Sequence, residues 1–314
     1  MEGFAMTPRG WIFGAQAHAS LMEALAAATG LAVGEADLGA FADGERSVCL
    51  RAEVAGLPVA LVLSSAPPVD SRVMTLALMA DAARRAGAER IVAVVPYFGY
   101  SRGERLARPG SPIPCRVVAD LFQASGVTHL VTLDLHSPAI AGFFTLPVFE
   151  RSALELLASR FAIASPERTV VVAPDAGGIK RAGHFASLLG VPLGIALKER
   201  PAPDAPKVVK LFGEFEDREA IIVDDMVTTG GTIRQVTTHL RQRGVSAVDV
   251  AAVHPVMAAE AEGLIRSLGI RRFVVSDSIP FSPRSPWPGL EAVSIAPLLA
   301  EALARCLGPG TPGR

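Results

Sequence analysis

The sequence predicts an α/β protein of two tandem domains, each a mostly parallel sheet flanked by helices. Three observations carry that expectation. First, one unit recurs four times: an amphipathic helical stretch, a glycine (Gly87, Gly126, Gly244, Gly269), then a short apolar run ending at a polar residue or proline. A glycine just past a helix end takes up the left-handed cap without a Cβ clash, and helices alternating with buried strands make right-handed crossovers and a parallel sheet. Second, two copies precede Pro147 and two follow Arg168, so the architecture is duplicated about a junction near Glu150. Third, 314 residues, half of them hydrophobic and only 19% charged, are long for one domain and ample for two cores. The expected division is 1–149, 150–307 with a last helical segment from Ile295 to Cys306, and a flexible Gly/Pro tail over 308–314.

Composition narrows the function. A net charge of −1 argues against a general polyanion binder, so no nucleic-acid partner is expected and basic residues must act locally. Cys49, Cys115 and Cys306 are scattered, odd in number and without metal-ligand spacing, which fits a reducing cytosol. The N-terminus lacks a basic segment leading an apolar run, and no apolar run is long enough to span a bilayer. The expectation is a soluble cytoplasmic protein without a membrane partner.

In chain order, the first chemical stretch is Phe41, Ala42, Asp43, Gly44 and Glu45, a turn between two strands. Asp43 and Glu45 suit a ligand amine or hydroxyl, but also an ordinary exposed acidic hairpin. Tyr97, Phe98 and Tyr100 then stand beside Arg102, Arg105 and Arg108 at a strand's carboxyl end. Aromatics and guanidinium groups there can stack on a base and neutralise phosphates, or form a solvated basic loop. Asp134 and His136 follow another strand, with a satisfied core histidine as the default meaning of His136.

The second domain opens with the buried run Val170, Val171, Val172 and Ala173, leading into Asp175, Gly177, Gly178 and the bases Lys180 and Arg181. An acid at a strand end, two glycines and two cations suit a metal-bound polyphosphate. Lys198 and Arg200 stand at the root of a stretch interrupted by Pro201, Pro203 and Pro206, either as solvated charges or on a lid closing over phosphates. The last stretch, residues 220–232, organises the chain. Ala220, Ile221, Ile222 and Val223 read as a strand buried on both faces. Asp224 and Asp225 come where that strand should reach the sheet's carboxyl edge, the edge at which open α/β sheets bind ligands. Thr228, Thr229, Gly230, Gly231 and Thr232 lead into an amphipathic helical pattern from Ile233. Glycines alone would make only a tight turn. With the hydroxyls and a helix N-terminus they suit a phosphate, while the acids suit vicinal hydroxyls, so together they describe a pocket for a phosphorylated sugar.

These motifs, in this order from about Phe41 to the final helix, resemble the ribose-phosphate pyrophosphokinase family; the 224–232 loop alone resembles the phosphoribosyl pyrophosphate signature shared with phosphoribosyltransferases. The resemblance implies two phosphoribosyltransferase-like domains, ATP and ribose 5-phosphate as substrates, Mg²⁺ as cofactor, and a homo-oligomer built from dimers. It implies that Phe41, Asp43, Glu45 and Arg102 hold ATP. His136 and Asp175, with Asp134, would serve the metal, and Lys198 and Arg200 would be the catalytic pair. Asp224, Asp225 and the loop residues Thr228, Thr229, Gly230, Gly231 and Thr232 would hold ribose 5-phosphate.

The sequence departs from the family's usual pattern in places. Gly103 follows Arg102 where Gln is common, Ala139 and Ala141 stand where glutamines are usual, Thr145 and Phe149 replace acidic residues, and Thr228 occupies a frequent Asp position. Two alternatives are therefore weighed: a silent regulatory homologue, and a phosphoribosyltransferase that consumes the product. Retention of Lys198 and Arg200 disfavours the first; the 41–45 turn and Arg102 disfavour the second.

Overall fold

Short runs rich in valine, isoleucine and leucine become the strands, and several helices end at a glycine held at positive φ. The computed structural model describes residues 8–199, 208–258, 260–281 and 286–308, without the side chains of 198, 199, 208 and 209. The chain divides into one unit of Met1–Ser152 with Ser294–Arg314 and a second of Ala153–Val293.

The first unit runs β1 (Trp11–Gly14), α1 (Ala19–Thr29), β2 (Ala32–Val33), β3 (Ala36–Ala40), β4 (Arg46–Leu50), β5 (Pro58–Val62), α2 (Val69–Arg85), β6 (Arg90–Val95), α3 (Pro114–Ser125), β7 (His129–Leu133) and β8 (Val148–Arg151). Six of these strands form a sheet in the order β2-β1-β5-β6-β7-β8, every neighbour parallel. Residues 91–95 of β6 are buried without interruption, as a central strand covered on both faces must be. The pair β3 and β4 stands apart as an antiparallel hairpin.

The second unit runs α4 (Leu154–Ala158), β9 (Thr169–Ala173), α5 (Ile179–Leu189), β10 (Leu193–Glu199), β11 (Val208–Phe212), β12 (Glu219–Val227), α6 (Gly231–Gln242), β13 (Ala247–Pro255), α7 (Ala261–Ser267), β14 (Phe273–Ser276) and β15 (Leu290–Val293). Its sheet order is β11-β10-β9-β12-β13-β14-β15. Only the edge strand β11 runs antiparallel; the other pairings are parallel. Each unit has its own core, one around Phe13, Met79, Phe98 and Phe122, the other around Ile222, Val236, Val250 and Phe273. The fold is thus α/β with two mostly parallel sheets flanked by helices. The four repeat glycines all lie at positive φ: Gly87 at 80°, Gly126 at 110°, Gly244 at 78° and Gly269 at 58°.

Two expectations of domain organisation are corrected. The junction expected near Glu150 falls between Ser152 and Ala153, because β8 runs on to Arg151, paired to β7. The final helix α8 (Ala296–Leu307) does not belong to the second unit but to the first. Its buried face, with Leu299, Leu303 and Cys306, packs on α1 and along β6, β7 and β8. Arg90 Nη1 donates to the Cys306 carbonyl, and Arg151 pairs with Glu301 at 3.6 Å. An apolar helical stripe needs a sheet to cover, and nothing in its periodicity says which.

Candidate functional site

In the second unit the candidate residues gather at the carboxyl edge of three neighbouring strands. β9 ends at Ala173 and delivers Asp175, β12 delivers Asp224 and Asp225, and β10 delivers the backbone of Lys198. Arg200 lies outside the described residues, as do the prolines of its loop. Lys198 itself is still in strand, opposite Val209. The aspartates do not end their strand as expected, because β12 continues to Val227 on its pairing with β13. Its other neighbour, β9, pairs only as far as Ile222. The acids are therefore held rigidly by one neighbour and left clear of the other.

Each carboxylate is fixed by the next amide: Asp225 N–H donates to Asp224 Oδ1 and Met226 N–H to Asp225 Oδ1, both at 2.9 Å. Arg181, on the first turn of α5, approaches Asp224 Oδ1 at 3.8 Å and Asp225 Oδ2 at 3.6 Å. Burial, then the neighbouring Asp225, push the Asp224 carboxyl well above its ordinary range, against the pull of Arg181. Two acids and one guanidinium leave net acceptor capacity, suited to hydroxyl groups or a cation. Asp175 closes its own turn by accepting Gly178 N–H at 3.0 Å on Oδ1.

Beyond β12 the loop is braced by the chain after β13: Met257 N–H donates to Val227 O at 2.9 Å and Ala258 N–H to Thr228 O at 2.8 Å. Gly230 sits at φ 76° immediately before α6, where a Cβ would lie 3.0 Å from Ile265 Cγ1. Among the described residues the N–H groups of Thr229 and Gly230 donate to no protein acceptor, and Gly231 N–H makes only a 3.4 Å contact with Thr229 Oγ1. Free amides at a helix N-terminus are a ready anion site. Thr228 and Thr232 flank them, half-buried.

In the first unit Arg102 follows β6, and Asp134 and His136 follow the adjacent β7, so all three share the carboxyl edge. Arg102 is exposed. Tyr100 ties its loop to α2 through a hydrogen bond from its hydroxyl to Asp70. His136 is exposed, which corrects its reading as a core histidine. Asp134 takes the left-handed conformation, φ 37°, and accepts from Ser152 Oγ at 2.7 Å. Glu150 Oε1 accepts Leu135 N–H at 2.8 Å, so the end of β8 holds this turn. Burial lifts the Glu150 carboxyl above its usual value. The 41–45 turn is the tip of the β3–β4 hairpin, closed by Phe41 N–H to Glu45 O at 2.8 Å and Glu45 N–H to Asp43 Oδ1 at 3.0 Å. Phe41 is 61% exposed there.

Sequence reasoning named Arg181 only as one of two bases and did not pair it with the aspartates; its signal was its place just after an acid and two glycines. Glu150 and Ser152 gave none, since a fold had to bring β8 beside β7. Among the described residues no three His, Cys, Asp or Glu side chains form a ready metal cage. Within the second unit the hard oxygen donors Asp175, Asp224 and Asp225 nevertheless fit Mg²⁺, which usually takes one or two carboxylates plus substrate phosphates, and within the first Asp134 is a donor of the same kind. Among the described residues no helix is long and apolar enough to cross a membrane.

Comparison with known proteins gives consistent matches. A family model described as the N-terminal domain of ribose phosphate pyrophosphokinase matches residues 11–126, and one described as a phosphoribosyl transferase domain matches residues 145–275. The ribose-phosphate pyrophosphokinase of Oceanobacillus iheyensis is 36% identical over 294 residues, covering 94% of this chain and 93% of that protein. That of Staphylococcus saprophyticus is 36% identical over 297 residues, 94% and 92% covered. The crystal structure of phosphoribosylpyrophosphate synthetase from Mycobacterium smegmatis superposes with a TM-score of 0.87 at 33% identity, covering 95% of this chain and 98% of that one.

Proposed function

The chain belongs to the ribose-phosphate pyrophosphokinase family, and from that premise we propose that it transfers the β,γ-diphosphoryl group of Mg-ATP to ribose 5-phosphate. The anomeric hydroxyl attacks the β-phosphorus in line and gives up its proton to solvent, the bond from that phosphorus to the α,β-bridging oxygen breaks, and AMP leaves with 5-phosphoribosyl 1-pyrophosphate as the other product.

One observation carries the reading: the half-buried Asp224 and the buried Asp225 stand beside a loop with free amides on a helix N-terminus. The loop 228–232 takes the 5-phosphate, and Asp224 and Asp225 accept the ribose hydroxyls. Burial already discourages charge on Asp224, so hydroxyl donors that satisfy its oxygens bind favourably. Arg181 orients the pair. Such transfers depend on positioning and charge neutralisation more than on covalent help. Lys198 and Arg200, at the end of β10 and just beyond it, are assigned to the transferring group. Phe41, Asp43, Glu45 and Arg102 are assigned to ATP.

Bound magnesium would neutralise charge on the phosphate oxygens. The residues assigned to metal are Asp175 within the second unit and, separately, His136 with Asp134 within the first. The exposed side chains of Phe41, Tyr100, Leu106 and Val117 support a homo-oligomer that covers them, and three free cysteines fit a cytoplasmic setting.

The test is direct. Purified protein incubated with ribose 5-phosphate, ATP and magnesium should form AMP and phosphoribosyl pyrophosphate in equal amounts. ADP as the nucleotide product would replace this reading with an ordinary sugar kinase.

A further inference from the structure

The two sheets repeat one topology. Leaving aside the edge strand β11, the order β10-β9-β12-β13-β14-β15 matches β2-β1-β5-β6-β7-β8 strand for strand. β5 and α2 in the first unit thus occupy the places of β12 and α6 in the second. The turn after β1 occupies the place of the Asp175 turn after β9. The first unit therefore has a counterpart of the sugar-phosphate pocket, and a cavity of about 720 Å³ lies there. It is lined by Gly14, Gln16, Ser71, Arg72 and Thr75, with Arg46 from the hairpin. That volume lies within the range of small-molecule sites.

The counterpart has lost its backbone cradle. Residues 63–68 replace the Thr-Gly loop, and all of their amides but that of Ala66 are spent or missing. Ser64 N–H donates to His18 Nε2 at 3.2 Å and Ser65 N–H to Tyr97 O at 2.8 Å, while Pro67 and Pro68 have no N–H. Two guanidinium groups stand in the cavity wall instead. Arg46 Nε donates to Oγ1 of the buried Thr75 at 3.1 Å, and that hydroxyl donates to Ser71 O at 2.7 Å, which fixes the arginine in place. Among the described residues neither Arg46 nor Arg72 forms an ion pair, although both are half-buried. The acids in the lining, Glu23, Glu35 and Asp37, are exposed, and Asp37 is paired with Arg51.

We propose that this cavity is a second ligand site, which takes the phosphoryl group of a small phosphorylated molecule between Arg46 and Arg72. Two guanidinium groups without an ion-pair partner among the described residues, with the buried Thr75 hydroxyl behind Arg46, do by side chains what free amides do in the second unit. This site is independent of the reaction assigned above. His18 lies alongside: burial, and then Arg72, hold its pKa down to about 4, so it stays neutral and accepts from Ser64.

The experiment uses the full chain carrying Thr229→Asp, whose added carboxylate repels phosphate from the 228–231 loop. Binding of inorganic phosphate and of ribose 5-phosphate is measured by calorimetry, and the His18 ring resonances are followed during each titration. Both probes should still bind and should move the His18 resonances. Adding Arg72→Gln should weaken binding about ten- to a hundredfold, the loss expected for a charge-assisted hydrogen bond, with Arg72→Lys restoring part of it. Ribose 5-phosphate binding tighter than phosphate would assign a sugar phosphate, and equal affinity would assign free phosphate. If Arg72→Gln, folded by its melting curve, bound both probes undiminished, or if His18 never responded, the proposal would be overturned.

Discussion

Asp224 is where stability and binding oppose each other. Its carboxyl holds a proton more tightly in the fold than in the unfolded chain, because burial and Asp225 both disfavour the charge. A raised acid pKa costs stability once the group ionises, so the ligand-free protein should lose stability as pH rises from 3.8, the ordinary value, through the raised one. Asp224→Asn removes the charge. It should raise the melting temperature of the ligand-free protein at neutral pH while weakening ribose 5-phosphate about ten- to a hundredfold. A lowered melting temperature would mean that the contact with Arg181 outweighs the burial cost. Lys198 is a different case. If it acts on the transferring group, its contribution appears in the transition state rather than in the ground state. Lys198→Ala should then lower kcat and kcat/KM together by roughly a hundred- to a thousandfold, with ATP affinity little changed. Unchanged turnover in the folded variant would make it a solvated charge.

At the scale of elements, the loop before α6 is a device for freeing amides. Gly230 is held at φ 76° with Ile265 behind it. Gly230→Ala places a Cβ both in the left-handed region and 3.0 Å from Ile265 Cγ1. The conformation alone costs about 1–2 kcal/mol. A lower melting temperature and weaker ribose 5-phosphate binding should appear together, and a variant as stable as the parent would show that the turn can rearrange. The helix α8 offers a chemical readout of its own. Cys306, on its buried face, has its thiol pushed up to about 12 by burial, and Cys115 is also buried, whereas Cys49 is exposed. An alkylating reagent should label Cys49 alone in the folded protein, since the thiolate is the reactive form. Early labelling of Cys306 would mean that α8 detaches readily.

For the whole molecule, the consequence of α8 is that the first unit is discontinuous in sequence. It needs residues 294–308 to cover α1 and the strands β6, β7 and β8. A chain truncated before Ala296 should therefore lose the cooperative melting of the first unit and be cut by protease within residues 8–152 first. A truncated chain that melted like the parent would show the helix to be dispensable.

Sequence alone determined the class of fold, because a strand buried on both faces must be apolar throughout and a helix end in the left-handed region calls for glycine. Both requirements are local and leave a mark on consecutive residues, as at Gly87, Gly126, Gly244 and Gly269. The 224–232 stretch was legible for the same reason: strand, acids, loop and helix start are contiguous in the chain. What the chain brings together from far apart was not legible. The unit that α8 covers, the support of the 134–136 turn by Glu150 and Ser152, and the approach of Arg181 to Asp224 and Asp225 depend on strand order. So does the meeting of Arg46, Arg72 and Thr75 around one cavity. Strand order is set by the summed packing of whole elements, and no short run of residues encodes it.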